Sequence, residues 1–241
     1  MLVVPVGSLE QHGAHLPLDT DTRIAVAVAE RACAGRPDVG LAPAIAIGAS
    51  GEHADFPGTL SIGIVAMSTL LVELGRHASL HWSAMLLVNG HGGNTAAISD
   101  ALSRLRVEGR DCHAWHAGIR SPMLAAAGVG LAPDAHAGRV ETSLMLALAP
   151  DNVRLEAAAP GETRPLTQIM ADLRTHGVRQ VSPNGILGDP AGASAAEGER
   201  LLALLVADLV ATLNRLTDAA RGAATPDRGH DDDVTSVDPG T

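Results

Sequence analysis

Glu10, His12 and Asp21 lie in one short stretch, SLEQHGAHLPLDTDT, directly after a run of aliphatic residues. Glu10 and His12 are two residues apart, so in an extended chain both side chains project to one face. Asp21 follows nine residues after His12, at the mouth of a helical pattern. One imidazole with two carboxylates suits a divalent ion such as zinc, manganese or iron. A plainer reading uses the same residues: Asp19 or Asp21 caps the helix, and His12 and His15 are polar loop residues. Spacing alone leaves both open.

Two further clusters carry the same residue types. In MLLVNGHGGNTAA, His91 stands at the carboxyl end of an apparent buried strand, and Gly90, Gly92 and Gly93 let the backbone turn sharply and approach a ligand. An ordinary tight turn, or an anion site at a helix N-terminus, explains that stretch equally well. In DAHAGRVETSLMLAL, His136 precedes a helix whose first turn holds Glu141, a position the helix dipole also favours for an acid. Three loops that each bring His and carboxylate residues toward one sheet edge are better explained by one shared site than by three separate structural reasons. A fourth stretch, GASGEHADFPGTLSIG, offers Glu52 and His53 as pocket-lining residues, although loop polarity also accounts for them. The sequence has no GxSxG elbow and no HExxH helix, which argues against a serine hydrolase or a zincin.

The elements that must position these residues alternate in type. Strands are expected at Leu2 to Val6, Met85 to Asn89 and Cys112 to His116, and a further apolar run covers Val39 to Ile47 around Pro43. Helices are expected at Thr22 to Ala34, with Asp and Thr residues as caps, at Ile64 to Trp82, at Asn94 to Val107 with Asn94 as N-cap, at Arg139 to Leu148, and at Glu197 to Leu216. This rhythm predicts an α/β fold with a mostly parallel sheet and helices on both faces, its site at the carboxyl ends of the strands. One domain spanning 1–222 is expected, followed by a disordered acidic tail over 223–241.

Composition narrows the function. The chain has 241 residues and a formal net charge of −10; it contains no Lys, so all 17 basic side chains are Arg. An acidic chain without basic clusters is a poor partner for nucleic acid or an anionic membrane, and the lack of Lys removes Schiff-base and Walker-type chemistry. With one Phe, no Tyr and two Trp, the core must be aliphatic. Cys33 and Cys112 lack metal-site spacing and read as small buried hydrophobes. No segment reaches about 18 consecutive apolar residues, and the N-terminus has no basic region before an apolar run. A cytoplasmic location is the expectation.

Taken together, VPVGSLEQHGAHLPLDTD, NGHGGN, HAGRVETSLML and GILGDPAGASAAEG resemble the creatininase family of amidohydrolases, from about Val3 to Gly198. The resemblance implies a three-layer α/β/α sandwich and a dinuclear centre of two divalent metal ions (zinc, iron or manganese). It puts Glu10, His12 and His91 on metal-ligand positions, Asp21 on the bridging carboxylate, and His136 on a histidine that donates a proton to the leaving nitrogen. Creatinine-cleaving members carry a glutamate ligand at the position of Gly93, so a replacement carboxylate is required, and Glu141 is the candidate. The departure also counts against creatinine as substrate. Glu52, His53, Gly92 and Gly93 are the expected substrate-binding residues. Within the family, SGEHADFPGTLSIG and GILGDPAGAS are most similar to the mycofactocin-system branch, which implies a peptidase trimming a C-terminal Val-Tyr dipeptide from a modified precursor peptide. Two alternatives stay open: hydrolysis of a small cyclic amide or formamide, and a non-catalytic metal-binding maturation partner. The family also implies a homo-oligomer, often a hexamer.

Overall fold

The computed structural model describes residues 1–119, 121–126, 128 and 135–223. In chain order the strands are β1 (Leu2–Val6), β2 (Gly40–Leu41), β3 (Met85–Asn89) and β4 (Cys112–His116). The helices are α1 (Thr20–Cys33), α2 (Gly63–Ala78), α3 (Thr95–Val107), α4 (Ser121–Ala126), α5 (Arg139–Leu148), α6 (Leu166–His176), α7 (Val178–Val181) and α8 (Ala195–Ala223). The strands form one sheet in the order β2-β1-β3-β4, and every pairing is parallel. Most of the expected tail, 224–241, lies outside the described residues.

Side-chain alternation along the two central strands splits the core in two. Val3, Leu86 and Val88 face a layer built by α1, α5 and α8; Val4, Val6, Met85 and Leu87 face α2 and α3. A strand covered on both faces reads as an unbroken apolar run, and all five residues of β3 are buried. On α8, Leu201, Leu205, Leu209 and Leu213 recur every four residues and are fully buried. Each such leucine is worth roughly 1.5–3 kcal/mol of burial. The result is the expected three-layer α/β/α sandwich.

Several boundaries differ from the sequence expectation. The apolar run Val39 to Ile47 pairs only at Gly40–Leu41 and again where Ile45 bridges Val6, because Pro43 has no N–H to donate to the ladder. Helix α2 ends at Ala78, four residues before Trp82. At the head of α1, Asp19 caps no backbone group; its Oδ1 accepts from Arg23 Nε at 2.7 Å. Asn94 does not cap α3 with its side chain either. Its Oδ1 accepts from Ala49 N at 2.8 Å, and its Nδ2 donates to Gly7 O at 2.9 Å and Asn89 Oδ1 at 3.1 Å. Asn94 thereby ties together the segments following β1, β2 and β3 at the carboxyl edge of the sheet.

Candidate metal centre

That edge collects the candidate site residues. Glu10 and His12 sit in the loop after β1, and Asp21 in the first turn of α1, where the helix N-terminus favours an acid. Glu52 and His53 lie in a 3-10 turn over Gly51–His53, and His91 follows β3 after Gly90. His136 is held by antiparallel pairing with Leu187: the Leu187 N–H donates to His136 O at 2.9 Å. Glu141 occupies the first turn of α5. The chain is not extended from Glu10 to His12 as a continuation of β1, which ends at Val6; the loop delivers both side chains to the same place.

Asp21 is the centre of the cluster. Its Oδ1 stands 3.1 Å from His12 Nε2, and its Oδ2 stands 3.2 Å from His91 Nδ1 and accepts from Ser8 Oγ at 2.5 Å. Glu10 is fully buried; its Oε2 lies 3.1 Å from His91 Nε2, and its Oε1 lies 3.4 Å from His53 Nε2 and 3.7 Å from His136 Nδ1. Glu141 Oε2 accepts from Ala137 N at 2.6 Å and lies 3.8 Å from His12 Nε2. Ala137 takes φ +53°, the only non-glycine residue with positive φ among the described residues. Strain of that kind persists where surrounding contacts hold it.

The hydrogen bonds fix which ring nitrogen of three histidines carries a proton. His12 Nδ1 donates to Glu10 O at 3.1 Å, so Nε2 is the nitrogen that faces Asp21 and is freed for a ligand when the ring is neutral. His136 Nε2 donates to Gln11 O at 2.8 Å, which leaves Nδ1 with its lone pair toward Glu10. The Gln11 side chain accepts from Gly13 N through Oε1, so its Nε2 is the donor to His53 Nδ1 at 2.8 Å and to Gly185 O at 3.0 Å. A backbone carbonyl on the far nitrogen is the usual way a protein orients a ligating imidazole.

Electrostatics follow from burial and these neighbours. Burial opposes charge on His12, but the Asp21 carboxylate overrides it and carries the pKa up to about 10. Burial likewise opposes charge on His91, and Glu10 and Asp21 hold its pKa well above the ordinary value. Asp21, despite burial, is held well below the carboxylate range by His12 and then His91. Burial pushes His136 well below the usual histidine value, helped by repulsion from charge on His12 and on His53 nearby. The cluster is a nest of anions around positive charge.

The residues fit a divalent ion. Both oxygens of the buried Glu10 carboxylate accept no hydrogen bond, an expensive arrangement unless a cation stands beside them. Donor atoms of Glu10, His12 and Asp21 lie within 4.8 Å of one another, as do those of His12, His136 and Glu141, and those of Glu10, His53 and His136. Mixed carboxylate and imidazole donors suit zinc, manganese or iron.

Three residues escaped the sequence reading. Ser8 holds Asp21, Gln11 links His53 to His136, and Gly185 makes room for Gln11, since a Cβ there would lie 1.9 Å from Gln11 Oε1. Only the SLEQHG and NGILGD motifs hinted at them. A cavity of about 1130 Å³ opens over the cluster. Asp21, Glu52, His53, His91 and His136 line one side, together with Gly92 and Gly93; Leu166, Met170 and Leu173 of α6 line another.

Comparison with known proteins decides the family. The creatininase family, described as creatinine amidohydrolase, matches residues 1–213. This chain belongs to the creatininase family. It is 50% identical over 211 residues to the mycofactocin precursor peptide peptidase of Mycolicibacterium smegmatis, covering 86% of this chain and 81% of that protein. It is 45% identical over 233 residues to the protein of the same name in Mycobacterium tuberculosis, covering 93% and 88%. The creatinine amidohydrolase of Pseudomonas putida is 30% identical over 229 residues, covering 86% and 85%. Among solved creatininases, a manganese form superposes with a TM-score of 0.72 at 28% identity, covering 94% of this chain and 91% of that chain; a mutant of Zn–Zn type gives the same score. The creatininase family comprises metal-dependent amidohydrolases, and the chain carries the donor groups such an enzyme needs. No helix of the described residues is long and apolar enough to cross a membrane.

Proposed function

We propose that this creatininase-family chain is a metal-dependent peptidase that removes the C-terminal Val-Tyr dipeptide from a modified mycofactocin precursor peptide. The observation that carries the reading is the 45–50% identity to mycofactocin precursor peptide peptidases over most of the chain. The cavity supports it: about 1130 Å³ exceeds what a small cyclic amide or formamide needs and suits a peptide end. Glu10, His12, Asp21, His91 and Glu141 would hold two divalent ions, zinc, iron or manganese, with Asp21 as the carboxylate placed between them. When bound, such ions act as Lewis acids toward the amide carbonyl and bring the pKa of a water toward 7.

The chain's own residues do the rest. His136 is neutral, with Nε2–H committed to Gln11 O and Nδ1 open. It therefore serves first as a proton acceptor at Nδ1, and then returns that proton to the departing amine. Glu52, His53, Gly92 and Gly93 border the substrate, with Gly92 leaving open space for a peptide backbone. The apolar face of α6 receives the side chains of the released dipeptide. Assembly into a homo-oligomer and a cytoplasmic location complete the proposal.

The deciding experiment incubates a synthetic Val-Tyr-terminated precursor peptide, crosslinked by its maturase, with the metal-loaded protein, followed by mass spectrometry. Release of the dipeptide, abolished by chelator, is the expected result. An intact peptide, with ions shown to be bound, would transfer the function to small amides or to a non-catalytic maturation role; turnover in a lactam and formamide panel separates those two.

A further inference from the structure

The family resemblance leaves one ligand position without a side chain, at Gly93, and the space beside that glycine is not open. A Cβ built on Gly93 would lie 2.2 Å from Glu52 Oε1, 2.4 Å from His91 Nε2 and 2.5 Å from Ala49 O. The Glu52 carboxylate thus occupies the volume into which a side chain at position 93 would grow, arriving from a different loop 41 residues earlier in the sequence. Glu141 stands by His12 and Ala137.

His91 Nε2 is crowded by oxygen. Glu10 Oε2 is 3.1 Å away, Ala49 O 3.2 Å, Glu52 Oε1 3.4 Å and Ser50 Oγ 3.4 Å. One ring nitrogen has at most one proton to offer, so it cannot satisfy four oxygens, two of them carboxylate. Donors held by one ion at about 2.0–2.2 Å stand about 3.0–3.4 Å from one another, by the geometry of octahedral and tetrahedral sites. The His91–Glu10 and His91–Glu52 separations fall on that edge length.

We propose that Glu52 is a metal ligand, joining Glu10 at His91 Nε2 from the loop after β2 in place of the missing side chain at position 93. The proposal rests on the metal-centre reading given above. Gly93 is then a glycine because the carboxylate of Glu52 and the carbonyl of Ala49 fill its side-chain space.

The test is a metal count, independent of turnover. The parent, Glu52→Gln, Glu52→Asp and the neighbouring control Asp55→Asn are stripped with chelator, reconstituted with cobalt or zinc, and read by elemental analysis, equilibrium titration and cobalt visible absorption. Expected for Glu52→Gln is loss of one equivalent, or its weakening by at least about 100-fold, more than the about 10–100-fold typical of an outer partner. Glu52→Asp recovers part of it, and Asp55→Asn matches the parent. Combined with His91→Ala, Glu52→Gln should remove no further equivalent; combined with His12→Ala, it should leave none. Two equivalents at parental affinity and an unchanged cobalt spectrum in Glu52→Gln overturn the proposal while leaving the metal centre standing. A parent that binds no ion overturns the metal centre itself and this ligand with it.

Discussion

His12 and His91, 79 residues apart in the chain, address opposite oxygens of a single carboxylate, at 3.1 Å and 3.2 Å. Their meeting point is Asp21, which Ser8 and the first turn of α1 hold in place. A side chain shared in this way would couple two ions, if the centre is dinuclear as proposed. Asp21→Asn should therefore lose both ions together, with turnover reduced at least about 1000-fold, since neither half retains its shared oxygen. Elemental analysis decides it; one ion kept at full affinity would mean that Asp21 serves only one side.

Replacing His91 and replacing His136 should differ in kind. His91→Ala removes a ring that faces Glu10, Asp21 and Glu52, and metal content and rate should fall together. His136→Ala should keep the ions and lower kcat by about 100–10,000-fold, the usual range for a general acid-base group. If His136→Ala also empties the site, Nδ1 is a ligand rather than a proton carrier.

The histidine shifts give the chelator-treated protein a defined pH response. His12 has a folded-state pKa raised to about 10 from 6.5, so its stabilising contribution is complete below about pH 6.5 and disappears as pH rises through 10. Asp21 has a depressed pKa, so its contribution is present above about pH 4 and is lost only in strong acid. Urea unfolding of the stripped protein should show a stability decline across pH 6.5–10. Ion binding at pH 7 should release protons, visible as a dependence of calorimetric heat on buffer ionisation. A flat stability profile together with buffer-independent heat would contradict a charged His12.

Gly185 carries φ +82° and leaves no room for a methyl group beside Gln11. Gly185→Ala costs roughly 1–2 kcal/mol for the left-handed backbone and displaces the amide that fixes His53. The expected result is at least about tenfold lower kcat with normal metal content. Unchanged kcat would release Gln11 from any part in orienting the histidines.

Asn94→Ala leaves the Ala49 N–H and the Gly7 carbonyl without their partner. At about 1–3 kcal/mol for each buried group left unsatisfied, the thermal midpoint should fall by several degrees. An unchanged midpoint would mean that the three segments are held by other contacts.

The parts of the molecule legible in the sequence are those that local pattern determines. β3, β4 and α5 were expected at their observed bounds, because an aliphatic run ending at Gly90, or a helix halted before Pro150, marks itself. Helix α6 was missed: it buries only Ile169 and Leu173, too little for a clear apolar stripe. The candidate donors were visible as types, since three separate loops each bring His and carboxylate residues toward one sheet edge. What remained hidden depends on pairs distant in sequence: Gln11 meets Gly185, Asn94 meets Gly7, and Glu52 meets the face of Gly93. No local spacing encodes such meetings. Asn94 also had a good local explanation as a cap, and tertiary contacts claimed its side chain instead.

All four strands run the same way, so every donor emerges from one edge of the sheet and none from the other. Among the described residues the turn at Glu108 and Gly109 between α3 and β4 lies at the opposite edge. The molecule is therefore divided into a chemical end and a mechanical end. Changes in loop length at the mechanical end are expected to leave the candidate donor atoms in place, whereas changes at the other end alter the cavity they line.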